Sequence, residues 1–307
     1  MRHILDLVDL SAPDLRHLFR EAARHKANHR HGERPLTLLG KVLALIFDKP
    51  SLRTRVSFQA AIAQLGGDSI FLSGKEAGLD SRESAADVAR VVSQYADAIV
   101  IRTFRHEAVL AFAEHAVCPV INGLSDRYHP CQALADLFTM HELFGHLTGR
   151  CLVFVGDGNN VARSLAIVCQ KLGVRFILAA PEGYGFDPAF IALCQEHLSS
   201  MPAFENDPAR AVKAADVLYT DVWASMGQEA EAAERRHRFA PFQVNASLLG
   251  QAPAHARVMH CLPAHRGEEI TSEVMDGGQS AVFQQAGNRM HLQKALLEWL
   301  LLPRTMA

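Results

Sequence analysis

Residues 41–55 read KVLALIFDKPSLRTR, and the fold is decided in this stretch. A continuous apolar run ending at Asp48 has the character of a strand covered on both faces, as strands of parallel sheets are. Helix-start chemistry follows: Pro50, Ser51 as a cap, then Leu52, Arg53, Thr54 and Arg55 in the first turn. Ligands of an open α/β sheet sit beyond the carboxyl ends of its strands, so Ser51 to Arg55 stand where a ligand would be. The N–H groups of Leu52, Arg53 and Thr54 carry partial positive charge, and Arg53 and Arg55 add planar cationic forks suited to phosphate oxygens. Taken alone, the segment reads equally well as a capped helix whose arginines are solvated.

The same alternation extends in both directions. Helical patterns at 12–30, 53–65, 84–95, 105–115 and 130–146 alternate with strands at 69–72 (SIFL), 97–101 (DAIVI) and 118–121 (CPVI). A second series runs through RCLVFVGDG (150–158), RFILAAP (175–181), DVLYTDV (216–222) and RVMHCLP (257–263). The class is therefore α/β, with two doubly wound parallel-sheet domains at 1–140 and 141–280 and a seam near 141–150. A last helix, about 281–301, carries Leu292, Ala295, Leu296, Trp299 and Leu300 on one face and is expected to return to the first domain. EAEAAERRHR at 229–238 is charged enough to read as an exposed, mobile loop.

Composition narrows the function classes. Lysine and arginine number 31 against 33 acidic residues, a formal charge of -2, so there is no global basic field to hold nucleic acid or an anionic membrane. The six cysteines form no CxxC pair and the N-terminus MRHILDLVDL is amphipathic and acidic, which points to a reducing cytoplasm and no structural zinc. Apolar runs such as LTLLGKVLALIF break well before the ~20 residues of a membrane span, so a soluble protein is expected. VGDGNN after a strand invites a dinucleotide-binding reading, but the third glycine of that fingerprint would fall on Val161. No cofactor or metal is expected.

Arg102 in IVIRTF ends another predicted strand, and in DRYHPCQAL the residues His129 and Gln132 straddle Pro130 at a helix start. An imidazole and an amide presented there can bond a carbonyl oxygen and an NH2 group. FDKPSLRTR, IRTF and YHPCQ in this order resemble the carbamoyl-phosphate domain of the aspartate and ornithine carbamoyltransferases, with their S-x-R-T-R and H-P-x-Q signatures. GDGNNVARS (156–164), TDVWASMGQE (220–229), MHCLPAHRGEE (259–269) and QAGNRMHLQKAL (285–296) resemble the ornithine branch of that family.

The resemblance implies transfer of a carbamoyl group from carbamoyl phosphate to the side-chain amine of L-ornithine, giving L-citrulline and phosphate. It implies that Ser51, Leu52, Arg53 and Thr54 bind the phosphate, that Arg102, His129 and Gln132 hold the carbamoyl group, and that Arg289 closes over it. Cys261 and Leu262 would join the carbamoyl phosphate set, Cys261 also meeting ornithine beside Asp221, while Asn160, Asp221, Ser225 and Met226 would hold ornithine. Arg102, His129, Asp221 and Cys261 are the implied catalytic residues. Domain closure with the 227–240 segment folding over ornithine, and a cytoplasmic homotrimer, are further expectations of the resemblance.

Two departures accompany it. Leu52 stands where many members have threonine, at a position that needs only its backbone. GKEAGLDSRES has Gly78 where members often carry a glutamine lent to the neighbouring subunit, leaving Lys75, Ser81 or Arg82 as substitutes. The rival readings are a carbamoyltransferase for putrescine or an N-acylated ornithine, and a non-catalytic descendant. Ser225 and Met226 argue against putrescine, which has no α-carboxylate.

Overall fold

The computed structural model describes residues 2–77, 83–224 and 229–303. The chain divides into two compact units, Met1–Phe138 with Asn288–Ala307, and Thr139–Gly287.

The first unit runs α1 (Ala12–Arg30), β1 (Val42–Phe47), α2 (Leu52–Gln64), β2 (Asp68–Ser73), the single turn α3 (Gly74–Ala77), α4 (Ala85–Val92), β3 (Ala98–Arg102), α5 (His106–His115), β4 (Val120–Leu124) and the start of α6 (Pro130–Phe144). Its sheet is all parallel, in the order β2-β1-β3-β4. The chain leaves β1 toward β2 and comes back on the other side to β3. This reversal opens a crevice at the carboxyl ends of β1 and β3, the place where doubly wound sheets bind ligands. Every residue of β3 and β4 is buried, as expected of strands covered by helices on both faces. α1 begins with a capping box between Ser11 and Asp14 and buries Leu15, Leu18, Phe19 and Ala22.

The second unit continues with β5 (Cys151–Val155), α7 (Asn160–Lys171), β6 (Arg175–Ala179), α8 (Pro188–His197), β7 (Ala203–Glu205), α9 (Pro208–Ala211), β8 (Val217–Thr220), α10 (Ala232–Phe239), α11 (Ala246–Leu249), β9 (Arg257–His260), α12 (Ser272–Asp276) and α13 (Val282–Leu301). Its parallel order is β7-β6-β5-β8-β9, so the reversal here falls between β5 and β8. Val153, Val155, Leu218 and Val258 from these strands form one core with Phe239, Phe242 and Ile270.

α13 crosses the boundary between the units, and from Asn288 onward it belongs to the first. There Glu298 accepts from Arg24 at 3.0 Å, His25 at 2.8 Å and Thr37 at 2.5 Å, which returns the C-terminal helix to the first unit as expected.

One expectation is corrected. The 229–238 stretch, read as an exposed, mobile loop, contains the helix α10; Glu231, Glu234, Arg236, His237 and Arg238 are exposed as expected, but Arg235 and the following Phe239 are buried. Arg235 pairs with Glu231 one turn back at 3.0 Å and with Asp157 at 2.7 Å, so the one charge that leaves solvent is neutralised in place.

Candidate active site

In the first unit the ladder between β1 and β3 extends past the strands, because the Asp48 N–H donates to Arg102 O at 2.9 Å. The residues that follow β1 are thereby held beside the residue that ends β3. Ser51 caps α2: its Oγ accepts the Thr54 N–H at 3.2 Å and lies 3.0 Å from Thr54 Oγ1. Of the three first-turn N–H groups expected to face an anion, that of Thr54 is thus committed to the cap.

The Thr54 hydroxyl is the meeting point of the cluster. Arg289 Nη2 donates to it at 2.7 Å and Arg102 Nη1 at 3.4 Å, while Arg289 Nη1 donates to Gln132 Oε1 at 2.9 Å. Gln132 is oriented from its other end by a bond from Nε2 to Asp136 at 2.7 Å. Arg102, His129, Gln132 and Arg289 are all buried. Two guanidinium groups, an imidazole and an amide thus share one buried cluster at the ends of β1 and β3, a donor set that suits an anion.

His129 registers the same field. Burial drives its imidazole well below the usual histidine range, and the positive charges of Arg289, Arg102, Lys49 and Arg53 push it further. It is a neutral ring, able to donate a hydrogen bond to a carbonyl oxygen without carrying charge. Arg55 does not join the cluster. Its guanidinium stacks 3.6 Å from the centre of the Phe71 ring and bonds Gln59 at 3.3 Å, because residues one apart on a helix face different ways from Thr54. Lys75 is exposed on α3, and Gly78, Ser81 and Arg82 lie outside the described residues.

In the second unit the turn after β5 is Gly156, Asp157 and Gly158. A Cβ on Gly158 would meet Gly185 O at 2.6 Å, so only glycine lets the two loops approach. Asn159 caps α7 with its Oδ1, accepting from Val161 and Ala162, and turns its Nδ2 to Asp221 Oδ2 at 3.0 Å. The other oxygen of Asp221 accepts the Val222 N–H at 2.8 Å and the Cys261 thiol at 2.9 Å. Asn160 opens α7 beside them.

Behind this carboxylate, Arg235 Nη1 holds Asp157 at 2.7 Å and Trp223 O at 3.1 Å. Burial pushes the Asp157 carboxyl up, opposed by Arg235 and reinforced by the charge of Asp221. Leu262 has a left-handed φ of 59°, a conformation that costs a non-glycine residue about 1–3 kcal/mol and concentrates at functional sites. Its N–H donates to His260 Nδ1 at 2.8 Å, which leaves the ring proton on Nε2 for the buried Glu269 at 3.0 Å. Asp221, His260 and Cys261 offer ligand atoms within 4.8 Å of one another, but both His260 nitrogens are engaged in these two bonds.

The structure therefore brings Ser51, Thr54, Arg102, Gln132 and Arg289 together with His129 in the first unit, and Asp221 with Cys261 in the second. Leu262 follows Cys261 in the second unit, and Ser225 and Met226 lie outside the described residues. Asn159, Asp157, Arg235, His260 and Glu269 were not singled out from the sequence. The signals for them are slight: Asn159 is an amide adjacent to Asn160, and Asp157 and His260 stand at strand ends, while nothing local marks Arg235 or Glu269.

Two family models match the chain: "Aspartate/ornithine carbamoyltransferase, carbamoyl-P binding domain" over residues 2–142, and "Aspartate/ornithine carbamoyltransferase, Asp/Orn binding domain" over residues 148–300. The ornithine carbamoyltransferase of Bacillus subtilis (strain 168) is 52% identical over 303 residues, 98% of this chain and 94% of that protein. The anabolic ornithine carbamoyltransferase of Pyrococcus furiosus is 50% identical over 299 residues, 96% of this chain and 95% of that one. The solved ornithine carbamoyltransferase from Pyrococcus furiosus superposes with a TM-score of 0.93 at 50% identity, covering 98% of this chain and 97% of that chain. The one from Thermus thermophilus superposes with a TM-score of 0.87 at 42% identity, covering 97% and 98%.

Proposed function

The chain belongs to the aspartate/ornithine carbamoyltransferase family, and from that premise we propose how its two strand-end clusters divide the reaction of the ornithine branch. The enzyme is a transferase that moves the carbamoyl group of carbamoyl phosphate to the side-chain amine of L-ornithine, giving L-citrulline and phosphate. The first unit is the carbamoyl phosphate domain and the second the ornithine domain.

The amine nitrogen attacks the carbonyl carbon, the bond to the phosphate oxygen breaks, and the nitrogen gives up a proton. Negative charge grows on the carbonyl oxygen and on the departing phosphate. Arg102 and the neutral His129 donate to the carbonyl oxygen, and Gln132 holds the carbamoyl NH2. Ser51, Arg53, Thr54 and the backbone at Leu52 take the phosphate, with Arg289 exchanging its present bonds to Thr54 and Gln132 for substrate oxygens. Preorganised donors of this kind act mainly in the transition state, each worth about 3–4 kcal/mol.

On the ornithine side, Asp221 and Cys261 meet the side-chain amine, with Leu262 beside them, while Asn160, Ser225 and Met226 hold the α-amino and α-carboxylate ends. An unperturbed alkylamine has a pKa of about 10.4, so the carboxylate and thiol must orient the amine and help remove a proton.

The observation that carries this reading is the neutral His129 buried among Arg289, Arg102, Lys49 and Arg53 at the carboxyl end of a parallel sheet. Titration of inorganic phosphate into wild type and Arg53→Gln tests it. Loss of phosphate binding together with turnover is expected, and unchanged phosphate affinity in the variant would refute the assignment of α2.

The proposed setting is cytoplasmic arginine biosynthesis, the biosynthetic direction being supported by the relative named anabolic. A homotrimer is proposed as well. The exposed Leu52 and Val56 share one face of α2, and such an apolar strip supports a contact surface. Sedimentation at the mass of one chain would contradict the trimer.

A further inference from the structure

The loop between β4 and α6 is attached to the first turn of α5 at four consecutive residues. Ser125 Oγ lies 2.9 Å from His106 Nδ1, and Asp126 Oδ1 accepts the His106 N–H at 2.8 Å. Arg127 pairs with Glu107 at 2.7 Å, and the Tyr128 ring packs edge-on against the His106 imidazole with centroids 5.1 Å apart. The next residue is His129. The preceding one, Leu124, accepts the Thr103 N–H at 3.0 Å, which links the same loop to the residue after Arg102.

Ser125 Oγ also accepts from Asn122 Nδ2 at 3.2 Å and from the Tyr128 N–H at 3.3 Å. With an oxygen that already accepts twice, the contact to His106 is read as running from the hydroxyl to Nδ1 of a neutral imidazole. His106 is buried, and burial holds it below the usual histidine range. Arg127 pushes the same way, while Asp126 and Glu107 oppose.

We propose that His106 is a positioning residue for carbamoyl transfer, accepting the Ser125 hydroxyl so that the 125–128 loop presents His129 in register with Arg102. This rests on the reading that His129 bonds the carbamoyl group. Neither His106 nor Ser125 touches substrate. When His106 takes a proton, Nδ1 becomes a donor and can no longer accept the Ser125 hydrogen, and the clamp loses its central bond in that direction. The charged groups facing the ring are Asp126 and Arg127 from the loop and Glu107 from α5, so acid pH is where the loss would be seen.

Steady-state kinetics of His106→Leu, His106→Asn and His129→Ala test the proposal. His106→Leu, which cannot accept the Ser125 hydrogen, should lower kcat about tenfold to 100-fold with the KM for ornithine unchanged. His106→Asn, whose Oδ1 can accept that hydrogen and does not titrate, should restore most of kcat and decline less than wild type toward acid pH. Wild-type kcat in His106→Leu, or failure of His106→Asn to rescue it, overturns the proposal. A fall in kcat that moves in step with the KM for ornithine and the melting temperature also overturns it, because a merely structural role predicts that pattern. Should His106→Leu not fold, Ser125→Ala carries the same comparison. Undiminished kcat in His129→Ala would sink the underlying reading instead, whereas loss there with a normal His106→Leu sinks the clamp alone.

Discussion

Arg289 Nη2 donates to Thr54 Oγ1 at 2.7 Å, joining residues 235 apart in the sequence. The contact exists because α13, from Asn288 onward, belongs to the first unit. One guanidinium thereby spans the phosphate cradle at Thr54 and the amide of Gln132. Replacing Arg289 with lysine keeps the charge but loses the fork, and a point charge cannot serve both partners. We expect Arg289→Lys to lower kcat about 100-fold or more, with secondary structure by circular dichroism unchanged. Turnover within a few-fold of wild type would remove Arg289 from the transition state.

The Cys261 thiol gives its hydrogen to Asp221 at 2.9 Å, and the proposed function gives this carboxylate to ornithine. Asp221→Asn should raise the KM for ornithine by about tenfold or more and leave the KM for carbamoyl phosphate nearly unchanged. Equal effects on both KM values would contradict the division of ligands between the two clusters.

Arg235, itself buried, pairs with the half-buried Asp157 carboxylate at 2.7 Å. Arg235→Met should destabilise the protein by about 3 kcal/mol, since removing one partner strands the other charge. The double variant with Asp157→Asn should recover part of the loss. A thermal melt of the single variant indistinguishable from wild type would show that Asp157 is already neutral without its partner.

Stability should also fall toward acid pH. His291 is buried beside Lys294, His29, Lys26 and His25 and is held down to about 3. Its unfolded value is about 6.5, so the unfolded chain binds the extra proton between these limits. The stabilisation is complete above pH ~6.5 and is lost as the pH falls through this window, by about 1.4 kcal/mol per pH unit. His106 and His129 shift in the same direction. The lowered carboxyls of Glu298 and Asp216 add to the loss only below the ordinary carboxylate range, and the raised Asp157 opposes it. Melting temperatures of wild type and His291→Gln across that range check the sign: the variant should show the shallower decline.

Most strands were legible because runs such as KVLALIF are continuously apolar, whereas the three-residue β7, Ala203–Glu205, carries no such run and was not read as a strand. Helix α10 was not legible either, because the burial of Arg235 depends on Asp157, a partner 78 residues earlier that no local periodicity reveals. The chemistry of the β1–α2 turn offered Arg53 and Arg55 alike and only the resemblance chose Arg53; in the structure the Arg55 guanidinium lies over Phe71. Arg289 is a polar residue buried within a helix, so periodicity gives no sign of it and only the family resemblance does. Asn159 and Asn160 are adjacent, and the assignment of the cap and the Asp221 partner to Asn159 is a matter of side-chain direction, which spacing does not encode.

The most direct test of the account is citrulline formation by the purified protein with carbamoyl phosphate, run in parallel with putrescine, N-acetylornithine and N-succinylornithine in place of L-ornithine. The account predicts that ornithine is preferred by about 100-fold or more in kcat/KM, roughly 2.7 kcal/mol of discrimination. Turnover confined to one of the other amines would leave the phosphate cradle standing and contradict the assignment of Asp221, Cys261 and their neighbours to ornithine.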